Sequence, residues 1–281
     1  MGSMPVPPHK TLLVVDDDPS MHELVRVMLA GTEWEVDGVP GGEEALERLH
    51  TRAYDVVLTD ILMPGMDGLT LLGCLRQGHP DMSVVVTTIK NTPDHVLGSL
   101  RRDAAGYLSK PFTRDALIIA LQEALSRPLD HDDIKVLSDS PHWISLQIRC
   151  KLATADRLTQ FVRELPNDLE PDEREGVAMA FRELLINAIE HGGHLDPRKT
   201  VDLSYIRTAR AIVYYIRDPG EGFSPDKLEH AAASDQPLRH IELRQQMGIR
   251  AGGFGMLMAK NFADELIYSA KGNEVILIKY L

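Results

Sequence analysis

Asp16, Asp17, Asp60, Thr88 and Lys110 are of the residue types that phosphoryl chemistry uses. A carboxylate is a competent nucleophile toward a phosphoryl group and yields an aspartyl phosphate. Three carboxylates brought together raise one another's pKa values unless a cation neutralises them. Mg²⁺ suits such a site, because it is a hard, octahedral ion content with one or two carboxylates, waters and phosphate oxygens. A hydroxyl at Thr88 and an ammonium at Lys110 could then bind a phosphoryl group that arrives on Asp60. Any one of these acids, read alone, is equally an ordinary solvated loop residue. Five suitable residues at the ends of four strands make that reading the weaker one.

A second set lies further along. Glu183, Asn187 and His191 stand at i, i+4 and i+8 in Phe181-Arg182-Glu183-Leu184-Leu185-Ile186-Asn187-Ala188-Ile189-Glu190-His191-Gly192, and on one helix they share a face. The carboxylate can orient or deprotonate a nucleophile, and the amide oxygen can ligate Mg²⁺. The solvent face of an amphipathic helix shows the same stripe. Asp218-Pro219-Gly220-Glu221-Gly222-Phe223 places an acid before two glycines that let the backbone approach a ligand closely. Asp218 could accept a hydrogen bond from an adenine amino group, although alone the segment reads as an Asp-Pro-Gly turn. Ala251-Gly252-Gly253-Phe254-Gly255-Met256-Leu257-Met258 opens a helix and offers free N–H groups to phosphates. It matches neither the Walker A pattern nor the strict dinucleotide fingerprint.

These groups need elements to hold them. Short apolar runs such as Leu12-Leu13-Val14-Val15, Val56-Val57-Leu58 and Val84-Val85-Val86 alternate with helix-period segments up to about residue 125. That alternation predicts a doubly wound, five-stranded parallel sheet covered on both faces. In such sheets ligands sit at the carboxyl ends of the strands near a topological switch point, and the acids, Thr88 and Lys110 fall there. The polar stretch Pro128-Leu129-Asp130-His131-Asp132-Asp133 reads as a linker. Beyond it, strands are expected at 143–149, 201–206 and 211–217, helices at 155–165 and 171–191, and a helix near 256–262 after a Gly-rich stretch. A final hairpin, 266–269 with 275–280, turns at Lys271-Gly272-Asn273. Grouped strands and helices of this kind predict a two-layer α/β sandwich. The expected division is a first domain at 10–127, a linker at 128–140 and a second domain at 141–281.

The bulk numbers agree with two compact domains. The chain has 281 residues, 43% hydrophobic and 26% charged. A net charge of −12 argues against broad nucleic-acid binding, so no direct nucleic-acid partner is expected. Two cysteines, Cys74 and Cys150, form no CxxC pair, which points to a reducing, cytoplasmic setting. Nothing approaches the run of about 20 apolar residues a membrane helix needs. Met1-Gly2-Ser3-Met4 reads as an expression remnant ahead of a start at Met4, and no signal-peptide pattern follows.

Leu13-Val14-Val15-Asp16-Asp17-Asp18-Pro19, the run from Leu58-Thr59-Asp60 through Met63-Pro64-Gly65-Met66-Asp67-Gly68, and Tyr107-Leu108-Ser109-Lys110-Pro111-Phe112 resemble the receiver domain of bacterial response regulators. The resemblance implies Asp60 as phosphoacceptor, Asp16, Asp17 and Asp60 as Mg²⁺ ligands, and Thr88 and Lys110 as phosphoryl-binding groups. It implies Tyr107 as the aromatic switch that swings inward when Thr88 moves, a cis Lys110-Pro111 bond, and an upstream histidine kinase or phosphotransfer protein as donor. One position departs from the family: Ile89 stands where a small residue is usual, a bulk that could slow access to the pocket.

The second set, in this order and spacing, resembles the N, G1 and G2 boxes of the GHKL ATPases, and most of all the anti-sigma-factor serine kinases. The resemblance implies Glu183 as catalytic base, Asn187 as Mg²⁺ ligand and Asp218 as the adenine reader. Gly220, Gly222, Gly252, Gly253 and Gly255 would form the pocket backbone for ATP, with residues 224–249 as its lid. His191 reads better as a structural residue than a catalytic one. The implied function is a receiver-controlled protein serine kinase acting on an anti-anti-sigma-type (STAS) protein, with a sigma factor and a homodimer as further candidate associations. A module that binds ATP and captures a partner without transferring phosphate is the alternative. A hybrid histidine kinase ranks last, because the short linker leaves no room for a helical hairpin bearing a phosphoacceptor histidine.

Overall fold

The computed structural model describes residues 10–89, 92–126, 133–140, 142–165, 168–222 and 255–281. The chain divides into two compact units, Met1–Leu129 and Asp130–Leu281.

In the first unit, β1 (Lys10–Val15), β2 (Trp34–Val39), β3 (Val56–Asp60), β4 (Ser83–Thr88) and β5 (Gly106–Ser109) form a parallel sheet in the order β2-β1-β3-β4-β5. The helices are α1 (Pro19–Leu29), α2 (Gly42–Thr51), α3 (Gly68–Gly78), α4 (Pro93–Arg101) and α5 (Arg114–Ser126). Val25 and Leu29 of α1, with Leu117, Leu121 and Ala124 of α5, close over Leu12, Val14, Leu58 and Val85. Leu13, Val15, Val57, Val84 and Val86 alternate with those strand residues, so they face the other way and are buried too. Each such burial contributes roughly 1.5–3 kcal/mol, which is why these strands read as unbroken apolar runs. Helix α1 starts where it does because the Asp18 carboxylate accepts from the Ser20 N–H at 2.9 Å and Pro19 presets the first turn. The strand order reverses beside β1, so the crevice lies at the carboxyl ends of β1 and β3.

The second unit is a six-stranded sheet in the order β10-β11-β9-β8-β7-β6, antiparallel throughout. Its strands are β6 (Ile134–Ser140), β7 (Trp143–Arg149), β8 (Thr200–Arg207), β9 (Ala211–Arg217), β10 (Glu265–Tyr268) and β11 (Glu274–Tyr280). Helices α6 (Leu152–Glu164), α7 (Pro171–Asn187) and α8 (Gly255–Phe262) supply the second layer. Ile144, Ile148, Val201, Leu203, Ile212, Ile216 and Leu277, alternating along the strands, are buried beneath it. Tyr214 is also buried there, its ring 5.2 Å from that of Phe181 and 5.4 Å from that of Tyr205.

Two expectations are corrected. The linker placed at 128–140 is in its second half the edge strand β6, paired to β7 with a register shift between Val136 and Ser138. A bulged, polar edge strand carries little periodic signal, which is how such strands avoid unwanted pairing. The helix expected over 171–191 ends at Asn187 and passes into a π turn, Ala188–Gly192. The Glu183–Asn187 line therefore does not extend to His191, which is exposed.

Candidate functional site

In the first unit β1 carries the chain to Asp16 and Asp17, and β3 ends on Asp60. One oxygen from each of these carboxylates lies within 4.8 Å of the others; Asp16 and Asp60 are buried and Asp17 is exposed. An all-oxygen set of this size suits a hard cation such as Mg²⁺, which would supply positive charge for phosphate oxygens. Lys110 reaches into the same pocket, its Nζ 2.5 Å from Asp16 Oδ2 and 2.6 Å from Asp60 Oδ2. Its backbone is fixed by a bond from its N–H to the Thr88 carbonyl at 2.8 Å. Burial pulls the Lys110 ammonium down, but the two carboxylates more than offset this and hold it above its ordinary value. The Leu62 N–H donates to Asp60 Oδ1 at 3.1 Å, and the Asp18 N–H to Asp16 Oδ1 at 3.1 Å. Asp60 thus presents one oxygen to backbone and one to Lys110.

Thr88 ends β4 fully buried, and Tyr107 on β5 is buried as well. The Lys110–Pro111 bond is cis, as expected. Ile89, next to Thr88, is 74% exposed, so its side chain is turned to solvent at the end of β4.

In the second unit Glu183 and Asn187 are half-buried, one turn apart, on the border between the apolar face of α7 and solvent. Arg182 donates through Nε and Nη2 to Asp156 Oδ1 on α6, at 2.9 and 2.6 Å, and lies 3.6 Å from Glu183 Oε1. Asp218 follows β9. Its N–H donates to the Asn273 carbonyl at 3.0 Å, and its Oδ1 accepts from the Gly220 N–H at 2.7 Å. Burial raises the Asp218 carboxyl above its ordinary value, against the lowering effect of the Gly220 bond. The π turn brings Gly192 against this carboxyl: a methyl group on Gly192 would come within 2.2 Å of Asp218 Oδ1. Only glycine allows that approach, so the end of the Glu183–Asn187 helix and Asp218 share one place. Gly222 has φ +85°, the left-handed region that glycine favours, and passes over the Lys271 carbonyl.

Gly255 is the first residue of α8. Gly252, Gly253 and the lid expected at 224–249 lie outside the described residues. Reading the sequence missed Gly192, Asn273, Asp156 and Arg182. Gly192 ends the motif around Asn187, and Asn273 looked only like a hairpin turn; Arg182 next to an acid was the one available signal.

A family model described as "Response regulator receiver domain" matches residues 12–122, and one described as "Histidine kinase-like ATPase domain" matches residues 148–279. The chain is 38% identical over 113 residues to the DNA-binding transcriptional regulator NtrC of Escherichia coli (strain K12), covering 40% of this chain and 24% of that protein. It is 34% identical over 119 residues to the DNA-binding response regulator MtrA of Mycolicibacterium smegmatis, covering 42% of this chain and 52% of that protein. The chain thus spans a quarter to a half of the length of these relatives. A solved structure of the Francisella response regulator 1452 receiver domain is 29% identical, covers 42% of this chain and 98% of that one, and has a TM-score of 0.40.

Proposed function

From a chain that joins a response regulator receiver domain to a histidine kinase-like ATPase domain, we propose that phosphorylation of Asp60 controls an ATP-dependent protein serine kinase. The donor would be a histidine kinase or phosphotransfer protein, and the kinase substrate a STAS-type protein. The observation that carries the reading is the pocket in which Asp16, Asp17 and Asp60 converge within 4.8 Å around Lys110. It combines an acceptor carboxylate, a metal-binding oxygen set and a phosphate-binding cation, the parts that forming an aspartyl phosphate needs. In the ATPase domain Glu183 would act as base toward the serine hydroxyl and Asn187 would hold Mg²⁺. Asp218 would accept from the adenine amino group, while Gly220 and Gly222 let the backbone close on the nucleotide.

Labelled ATP, incubated with the protein and candidate STAS proteins, tests this. Label should move to a serine of the substrate. Glu183→Ala should abolish transfer with ATP binding nearly intact, because a base acts on the nucleophile rather than on the bound nucleotide. Asn187→Ala should weaken both. Transfer retained in Glu183→Ala would end the assignment.

One contact favours a second reading. Arg182 lies 3.6 Å from Glu183 Oε1, and a guanidinium on the base competes with a hydroxyl for it. In that reading the domain loads ATP and captures its partner without transfer, and the same experiment would show nucleotide-dependent binding but no labelled serine.

A further inference from the structure

Phe262, the last residue of α8, lies on the bare backbone of α7. A methyl group on Gly176 would stand 2.3 Å from Cδ1 of the Phe262 ring and 2.8 Å from both Cε1 and Cγ. Glycine inside a helix weakens it relative to alanine, and here it makes room for the ring. Lys279 of β11 ties the same two ends together. Its Nζ is 3.3 Å from Glu173 Oε1, near the start of α7, and 3.4 Å from Asp264 Oδ1, just past α8.

The carboxyl end of α8 thus sits at the amino end of α7. The two helices pack along one another, so they run antiparallel. Gly255 to Phe262 is a span of seven residues, as is Gly176 to Glu183, and at about 1.5 Å per residue each rises about 10.5 Å. The amino end of α8 is therefore carried to the level of Glu183. Ala180, Glu183 and Asn187 continue the face of α7 that Gly176 begins, and Ala259 shares the face of Phe262. Ala180 and Ala259 are both fully buried and small enough to keep the axes close. The first N–H groups of a helix have no partner within it and favour anions.

We propose that Phe262, seated on Gly176, is a positioning residue for the phosphates of the nucleotide. The seat sets how far along α7 the amino end of α8 stands, and so where its N–H groups meet those phosphates. This rests on the reading of the domain as an ATP site and adds to it a determinant two helical turns from Glu183.

Calorimetric titration of the full chain with Mg·ATP, and saturation-transfer NMR with adenosine, test it. Adenosine carries no phosphate, so a displaced α8 leaves its binding alone. Gly176→Ala improves α7 as a helix, but turning the Phe262 ring about its own axis cannot relieve a clash that includes Cγ, so α8 must shift. Affinity for Mg·ATP should fall about ten-fold or more, with adenosine bound as by wild type. Gly176→Ala combined with Phe262→Ala should bind Mg·ATP more tightly than either single variant, because the added methyl refills the seat. A role in folding alone would weaken both ligands together. If circular dichroism shows Gly176→Ala unfolded, Phe262→Ala decides alone. Phe262 is 37% exposed, so its loss leaves the core intact, and Mg·ATP should again weaken while adenosine does not. Unchanged Mg·ATP affinity, equal losses for the two ligands, or a double variant no better than Gly176→Ala overturns the inference and leaves the ATP site standing. A wild type that binds no Mg·ATP or no adenosine overturns the reading of the site and the inference with it.

Discussion

Lys110 holds two carboxylates at once, and its side chain and both of theirs are nearly closed off from water. Removing one partner from a buried charged set costs about 3–5 kcal/mol, because the groups left behind are uncompensated. Lys110→Ala should therefore lower the stability of the receiver by about that amount without divalent cations. Mg²⁺ should restore a large part of it by supplying the missing positive charge, as urea denaturation with and without the ion will read. Loss of stability that Mg²⁺ leaves untouched would mean that the acids do not share a metal. Asp218 behaves oppositely. Its folded carboxyl titrates above its ordinary value, chiefly through burial. Its contribution to stability is then fully present only below the unfolded pKa and is lost as pH rises through the folded one. Asp218→Asn should raise the melting temperature at pH 7, and the gain should shrink toward zero in acid. The same substitution should reduce the preference for ATP over GTP in titration calorimetry, since a carboxylate suits an amino group better than a carbonyl. A variant no more stable at pH 7, or with unchanged selectivity, contradicts this account.

Helix α6 bears on Glu183 through Arg182. Its Asp156 takes two donors from Arg182 at 2.9 and 2.6 Å, while the remaining arm of that guanidinium lies 3.6 Å from Glu183. Asp156→Ala should release Arg182 onto Glu183 and slow phosphotransfer about ten-fold, a change of about 1.4 kcal/mol in the barrier, with ATP affinity unchanged. Arg182→Gln in that background should restore the rate; failure to do so would make Asp156 merely structural. Elements of this kind differ in how far the sequence reveals them. The strands of the parallel sheet are legible because both faces are covered, so every residue from Leu12 to Val15 is apolar. The five pocket residues are legible because strand ends bring them together by topology alone. Strand β6 is not, being polar and bulged, and the π turn is not, because five ordinary residues encode it. Gly192 and Asn273 stay hidden for a third reason: each matters through Asp218, which neither neighbours in sequence.

At the scale of the molecule the proposed function gives the two domains two chemistries, and a receiver is useful only if its state alters the output. A coupling of 1–3 kcal/mol would change output about 5- to 150-fold. Beryllofluoride-loaded protein should therefore differ from Asp60→Asn in phosphotransfer rate or partner affinity within that range, and equal values would detach the receiver from its neighbour. Among the described residues no helix is long and apolar enough to cross a membrane. The sheet order has a consequence of another kind, in time. Strand β11 lies between β9 and β10, although it follows both in the chain. As the ribosome works, β9 stands with an open edge until β11 is made, and the 57 residues that follow Arg217 up to Glu274 take about 3–11 s at ~5–20 residues per second. A nascent chain stalled with β10 outside the exit tunnel but β11 inside should remain open to protease in this domain, while its receiver is already resistant. Releasing β11 should close the edges of β9 and β10 at once, so whatever guards nascent chains has longest to act on the antiparallel half.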